Sequence, residues 1–251
     1  AIVAQRPAEA NTLIAYSGGS LLNLAQGKFG RYNENDVRWL AAVGSDYGAV
    51  VVGENSPLKT MNDLVAAVKA DPTKVVFGAG GTVGSQDWMK AALTARAAGL
   101  NPKSMRFVAF EGGGEALTAL QGGHVQVYSG DASEAEEQIK AGAKIRVLAV
   151  MADKRLEGSL SKVPTAKEQG FDIQWPIIRG YYLGPKVSDA DFKVWTDTFN
   201  KMMATPAYNK LRAERGLFEF AMTGAELDKY LKGRVAFYRK LAAEFGLNVA
   251  K

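Results

Sequence analysis

Four apolar runs in this chain each end in a cluster of small residues and lead into a helix signal. The clusters are residues 17–20, 78–85, 111–114 and 129–131. The runs before them, residues 12–16, 74–77, 105–110 and 125–128, have the length and apolar character of buried strands. Strands alternating with helices predict an α/β fold, a mostly parallel sheet flanked by helices. In such sheets the loops leaving the carboxyl ends of the strands gather on one edge, and ligands bind there. Four exits rich in Gly and Ser therefore mark where a site is expected before its chemistry is known.

The helices between these runs carry local start and stop signals. Thr60 with Asp63 is a capping box, Leu64, Val65 and Val68 form the inner face, and Asp71-Pro72 ends the helix. Ser85 is the expected N-cap of a helix with Met89, Leu93 and Ala97 on one side. Residues 38–43 and 49–52 read as two separate strands, and 145–150 as another. Beyond residue 175 the grammar changes. Ser188 with Asp191 opens a helix, Pro206 suits a first turn, Gly216 a stop, and residues 217–220 a short strand. Thr223 with Glu226 reads as a second capping box, opening a long helix striped by Leu227, Leu231, Tyr238, Leu241 and Phe245 and ended by Gly246.

Composition removes several chemistries. There is no Cys, so no disulfide, thiolate nucleophile or Cys-bound metal, and the single histidine, His124, stands at the start of a strand. The net charge of +5 comes from 31 basic and 26 acidic residues spread along the chain without like-charge runs. That is a solvated surface rather than a nucleic-acid footprint, with a slight bias toward anionic small molecules. No stretch approaches the roughly 18 uninterrupted apolar residues of a spanning helix. Residues 78–83 lack the third glycine of a dinucleotide fingerprint, and no Lys follows Gly84 as a P-loop requires. No residue pair announces itself as catalytic, and no metal or cofactor is expected.

The exits suit anions. A strand turning sharply into a helix presents the helix's first N–H groups and its positive dipole end. Gly81-Thr82-Val83-Gly84-Ser85-Gln86 fits a carboxylate or phosphate cradle, and equally a tight turn with a good cap and no ligand. Gly112 belongs to the next exit. Asp131 either accepts from a ligand hydroxyl or caps the helix that follows. Arg179, a lone cation in an apolar run, needs an anion, from the protein or from a ligand.

At these residues the chain resembles the solute receptors of tripartite tricarboxylate transporters, the TctC or Bug group, and among them the citrate or tricarboxylate receptors. The carrying strings include Ala1-Ile2-Val3-Ala4-Gln5-Arg6-Pro7, Ser17-Gly18-Gly19-Ser20-Leu21-Leu22-Asn23-Leu24 and Gly27-Lys28-Phe29-Gly30-Arg31-Tyr32. Gly84-Ser85-Gln86-Asp87-Trp88-Met89-Lys90, Phe110-Glu111-Gly112-Gly113-Gly114-Glu115, Pro164-Thr165-Ala166-Lys167-Glu168-Gln169-Gly170 and residues 175–189 complete them. The resemblance implies a two-lobed, type II-like periplasmic-binding-protein fold with a ligand cleft between the lobes. Residues 1–47 with 177–251 would form one lobe and 48–176 the other, with crossings near 47–48 and 175–176. The family's chain begins earlier, with a strand and Gly-rich loop, so this sequence is expected to be a piece of a longer one whose export signal has been removed.

The resemblance further implies a monomeric periplasmic receptor, neither inserted in a membrane nor bound to nucleic acid, that hands a small citrate-like carboxylate to membrane permease subunits. Residues 82–86 would seat one carboxylate, Ser17, Gly18, Gly19 and Ser20 would touch the same ligand, and Arg179 would take a third carboxylate. A receptor for another di- or aromatic carboxylate, a sensor presenting its ligand to a kinase, and an acyl- or phosphoryl-transfer enzyme are the rival expectations.

Overall fold

The computed structural model describes residues 2–250. Residues 1 and 251, the outer ends of the segments expected for the first lobe, lie outside the described residues. In chain order the elements are α1 (Ile2–Gln5), β1 (Ile14–Ser17), α2 (Gly18–Ala25), β2 (Arg38–Gly53), α3 (Met61–Ala70) and β3 (Val76–Gly80). There follow α4 (Gln86–Ala97), β4 (Arg106–Phe110), α5 (Gly113–Gln121), β5 (Val127–Asp131), α6 (Ala132–Lys140) and β6 (Ile145–Val150). The last are β7 (Pro176–Leu183), α7 (Asp189–Met203), α8 (Pro206–Glu214), β8 (Met222–Thr223) and α9 (Gly224–Glu244).

Local chemistry accounts for most boundaries. Thr60 Oγ1 accepts from Asp63 N at 3.1 Å while Asp63 Oδ2 accepts from Thr60 N at 3.0 Å, the two halves of a capping box. Ser85 and Ser188 cap α4 and α7 by accepting from Trp88 N and Asp191 N. Pro206 starts α8, and Gly216 and Gly246 adopt the positive φ of helix stops. The start of α9 differs from expectation: Thr223 precedes the helix, but its hydroxyl donates to Asn200 Oδ1 at 3.0 Å and makes no cap bond.

The chain divides into two compact units. One comprises the segments ending at Ser45 and starting at Ile177; the other is Asp46–Pro176. In the first, β7 lies between β1 and β2, β1 runs antiparallel to β7, and the early part of β2 runs antiparallel to β8. Leu40, Ala41, Leu183, Val187, Phe199 and Met203 pack as a core under α7. The strand expected at 217–220 is reduced to one bridge, Phe218 to Ser45.

In the second unit β3 pairs in parallel with β4 and with β5, while the later part of β2 runs antiparallel to β5 and β6. The fold is α/β, with a mixed sheet rather than the mostly parallel one expected. The two strands expected at 38–43 and 49–52 are one, 16 residues long. The glycines between them mark close approaches, not a turn. A Cβ on Gly44 would lie 3.0 Å from Leu217 Cβ, and one on Gly48 would lie 2.7 Å from Met151 Sδ. Among the described residues no helix is long and apolar enough to cross a membrane.

Candidate functional site

In the second unit the carboxyl ends of β3, β4 and β5 meet. Gly81 and Gly84 have φ of 75° and 87°, a left-handed turn that glycine adopts without strain. Gly81 N donates to Phe110 O at 2.8 Å, tying the loop after β3 to the end of β4, and Ser85 N donates to Thr82 O at 3.0 Å. Ser85 then caps α4, so the chain turns directly into a helix of 12 residues. Inside the helix no carbonyl is placed to accept the N–H groups of Gln86 and Asp87. Gly112 is the N-cap of α5, and a Cβ on Gly80 would come within 3.4 Å of it. Residues 81–86 and Gly112 thus form one rim, with the Val83 side chain exposed at its tip. The Gln86 side chain accepts from the indole N–H of buried Trp175 at 3.3 Å.

Beneath this rim lies a cluster that the sequence reading missed. Lys90, fully buried, donates from Nζ to Asp87 Oδ1 at 2.7 Å and to Asp131 Oδ1 at 2.6 Å. Asp87 Oδ2 accepts from Gly80 N at 3.2 Å. Asp131 was expected either to cap α6 or to receive a ligand hydroxyl. It stands at the N-cap position of α6 but makes no capping bond there, its carboxylate being held by Lys90. Burial opposes the charge on Lys90, yet Asp131 and Asp87 hold its pKa above the ordinary lysine value. Burial pushes Asp87 up as well.

Asp46, on β2, accepts from Tyr47 N at 2.7 Å, from Ser133 N at 3.2 Å and from the Ser133 hydroxyl. Burial, aided by the charge of Asp131, pushes its carboxyl up to about 6. Tyr128 O–H donates to Glu134 Oε2 at 2.6 Å, and burial raises Glu134 too. An acid whose pKa is higher folded than unfolded binds its proton more tightly in the native state. Its contribution to stability is present at low pH and is lost as the pH rises through the folded value. Relative to Asp46→Asn, the wild-type protein should lose about 2–3 kcal/mol between about pH 4 and pH 6.5 and then level off. Melting curves of both proteins across that range measure it; a constant difference would mean that Asp46 titrates as an ordinary acid.

The first unit holds the other expected residues. Ser17 ends β1 and precedes α2, and its N–H donates to Ser20 Oγ at 3.3 Å. Arg179, half-buried in β7, lies directly opposite Ser17 in the ladder, so the two side chains share one face. Gly18 and Gly19 form the first turn of α2. Ser20 also lines a cavity of about 320 Å³ whose other walls include Ile14, Leu24, Trp39 and Tyr182. The structure therefore sorts the expected residues into two groups: Gly81, Thr82, Val83, Gly84, Ser85, Gln86, Gly112 and Asp131 in one unit, Ser17, Gly18, Gly19, Ser20 and Arg179 in the other. His124 is exposed in the turn after α5, where its N–H donates to Ala119 O at 2.9 Å. Among the described residues no group of three His, Cys, Asp or Glu is arranged to hold a metal ion.

Comparison with known proteins adds to this geometry. The family model described as tripartite tricarboxylate transporter family receptor, TctC, matches residues 31–247. A Cupriavidus necator protein called UPF0065 protein in gbd 5'region is 26% identical over 211 residues, 83% of this chain and 61% of that protein. This chain thus spans less than two thirds of that relative's length. A TctC solute binding protein from Polaromonas has a TM-score of 0.79 at 23% identity, over 97% of this chain and 81% of that one. MatC from Rhodopseudomonas palustris, solved with bound malate, has a TM-score of 0.73 at 17% identity, over 96% and 81%. At these identities the likeness establishes the fold, that of the solute-binding proteins.

Proposed function

This chain belongs to the tripartite tricarboxylate transporter receptor family, and from that premise we propose that it binds citrate or a related tricarboxylate and delivers it to the transporter's permease. The family is one of receptors, not enzymes. The observation that carries the ligand class is the left-handed turn at Gly81 and Gly84, which runs straight into the capped start of α4. It aims a helix N-terminus and its first amides at whatever occupies the rim, the arrangement that suits a carboxylate. Residues 82–86 are one carboxylate seat, the Ser17 and Ser20 hydroxyls a second, and the Arg179 guanidinium a third. MatC, of like fold, is described with malate, an acid with two carboxylates. The guanidinium at 179 is the feature that favours a third. The receptor's place is the periplasm.

A thermal-shift screen over mono-, di- and tricarboxylates tests the ligand class, because a ligand that binds only the folded form raises the melting point. Arg179→Ala should weaken tricarboxylate binding by about 10–100-fold, the worth of a charge-assisted pair, and dicarboxylate binding by far less. Calorimetric titration reads both. Equal losses would remove Arg179 from the third seat, and a preference for dicarboxylates in the wild type would move the protein to a malate-like ligand.

A further inference from the structure

We infer that Lys90 is the positioning residue of the carboxylate seat: it ties the loops on either side of the rim together and offsets part of the charge of the acids beneath it. Its Nζ joins Asp87 on α4 to Asp131 at the end of β5, two carboxylates that are 44 positions apart in the chain and share one nitrogen. Asp87 carries the tie onward to Gly80 N, the residue before the turn, and Gly81 N is itself fixed to β4. One ammonium therefore sets the β3–α4 loop against the start of α6. Charge gives the second half of the argument. The groups interacting with Lys90 are Asp87 on α4, Asp131 on β5, Asp46 on β2 and Glu134 on α6, with Tyr128 on β5 beside those acids. Without the ammonium, Asp87 and Asp131 are two uncompensated like charges below a seat that takes an anion, and both the register and the potential of the seat fail.

The inference rests on the carboxylate reading proposed above, and the experiment keeps the two apart. Citrate is titrated into wild type, Lys90→Met, and the triple variant Lys90→Met with Asp87→Asn and Asp131→Asn, which removes all three charged groups, near pH 8 and near pH 5.5. The ratio of variant to wild type at each pH removes the change in citrate's ionised fraction that both proteins share, and the triple variant reports what remains. Lys90→Met should bind at least about tenfold more weakly near pH 8, and the deficit should shrink severalfold near pH 5.5 as the acid pair, left without its cation, takes up protons. The triple variant lacks that pair, so its deficit should change with pH far less than that of Lys90→Met; Asp46 and Glu134 are present in all three proteins. A deficit for Lys90→Met that is the same at both values overturns the electrostatic role.

Amide exchange without ligand tests the tie even if citrate is not the ligand. In both variants residues 80–86 and 130–133 should exchange about tenfold faster while the rest of the second unit is unchanged. Uniform acceleration, or none, overturns the positioning role. If Lys90→Met does not fold, the triple variant, which buries no uncompensated charge, carries the exchange test alone. Wild-type protein that ignores citrate while its variants open at residues 80–86 refutes the ligand and keeps the tie.

Discussion

Gly180→Ala should lower stability by about 3 kcal/mol, the upper end for overpacking a core. A Cβ there would lie 2.0 Å from the Ala41 carbonyl oxygen and 2.7 Å from the Tyr16 hydroxyl. Gly180 sits in β7 opposite Tyr16, whose ring lies across it, and the carbonyl belongs to β2. A backbone oxygen cannot swing aside as the end of a flexible side chain can, so the strands must part. At this chain length the melting temperature should fall by about 6–12 °C. Gly233→Ala is the control of opposite sign. It lies mid-helix in α9, a Cβ there meets nothing within 4 Å, and alanine should stabilise the helix by about 0.5–1 kcal/mol. Thermal melts of the two variants decide the matter; equal effects would mean that space around Gly180 is not what limits the site.

Lys90→Met should cost about 3–5 kcal/mol, as removing one partner of a buried ion pair does. The loss is large because two carboxylates depend on one nitrogen with no exposed surface. Replacing all three charged groups together should restore most of it, since a buried triad removed whole leaves no unpaired charge. Denaturant unfolding of wild type, single and triple variants makes the comparison. A triple variant no more stable than Lys90→Met would show that the two carboxylates left without the ammonium are not what destabilises the single variant.

The sequence announced features whose causes lie within one turn of chain. The caps Thr60, Ser85 and Ser188 each bond a residue three positions ahead, so their spacing is visible in a string of letters. Thr223 has the same spacing and fails, because Asn200 on a neighbouring helix claims its hydroxyl. Long-range pairing was less visible. Nothing local to residues 44–48 says that β2 stays extended through two glycines, because the reasons, Leu217 and Met151, are remote. Strand direction is likewise a property of partners, which is why antiparallel β2 beside β5 was not foreseen. The rim at residues 81–86 was legible as a turn ending in a cap. Lys90 was not, since one charge beside a stripe of Met89, Leu93 and Ala97 reads as solvated until Asp131, 41 positions away, is placed against it.

The bond between the Trp175 indole and the Gln86 side chain gives this protein a built-in optical gauge. An indole sealed from water, whose N–H rests on the first residue of α4, should change its ultraviolet emission if that residue seats an anion as proposed. Ligand uptake at the proposed seat could then be followed in real time and without a label, and Trp175→Phe should remove the part of the signal that does not come from Trp88, the other buried indole at that turn, while leaving the uptake of ligand in place.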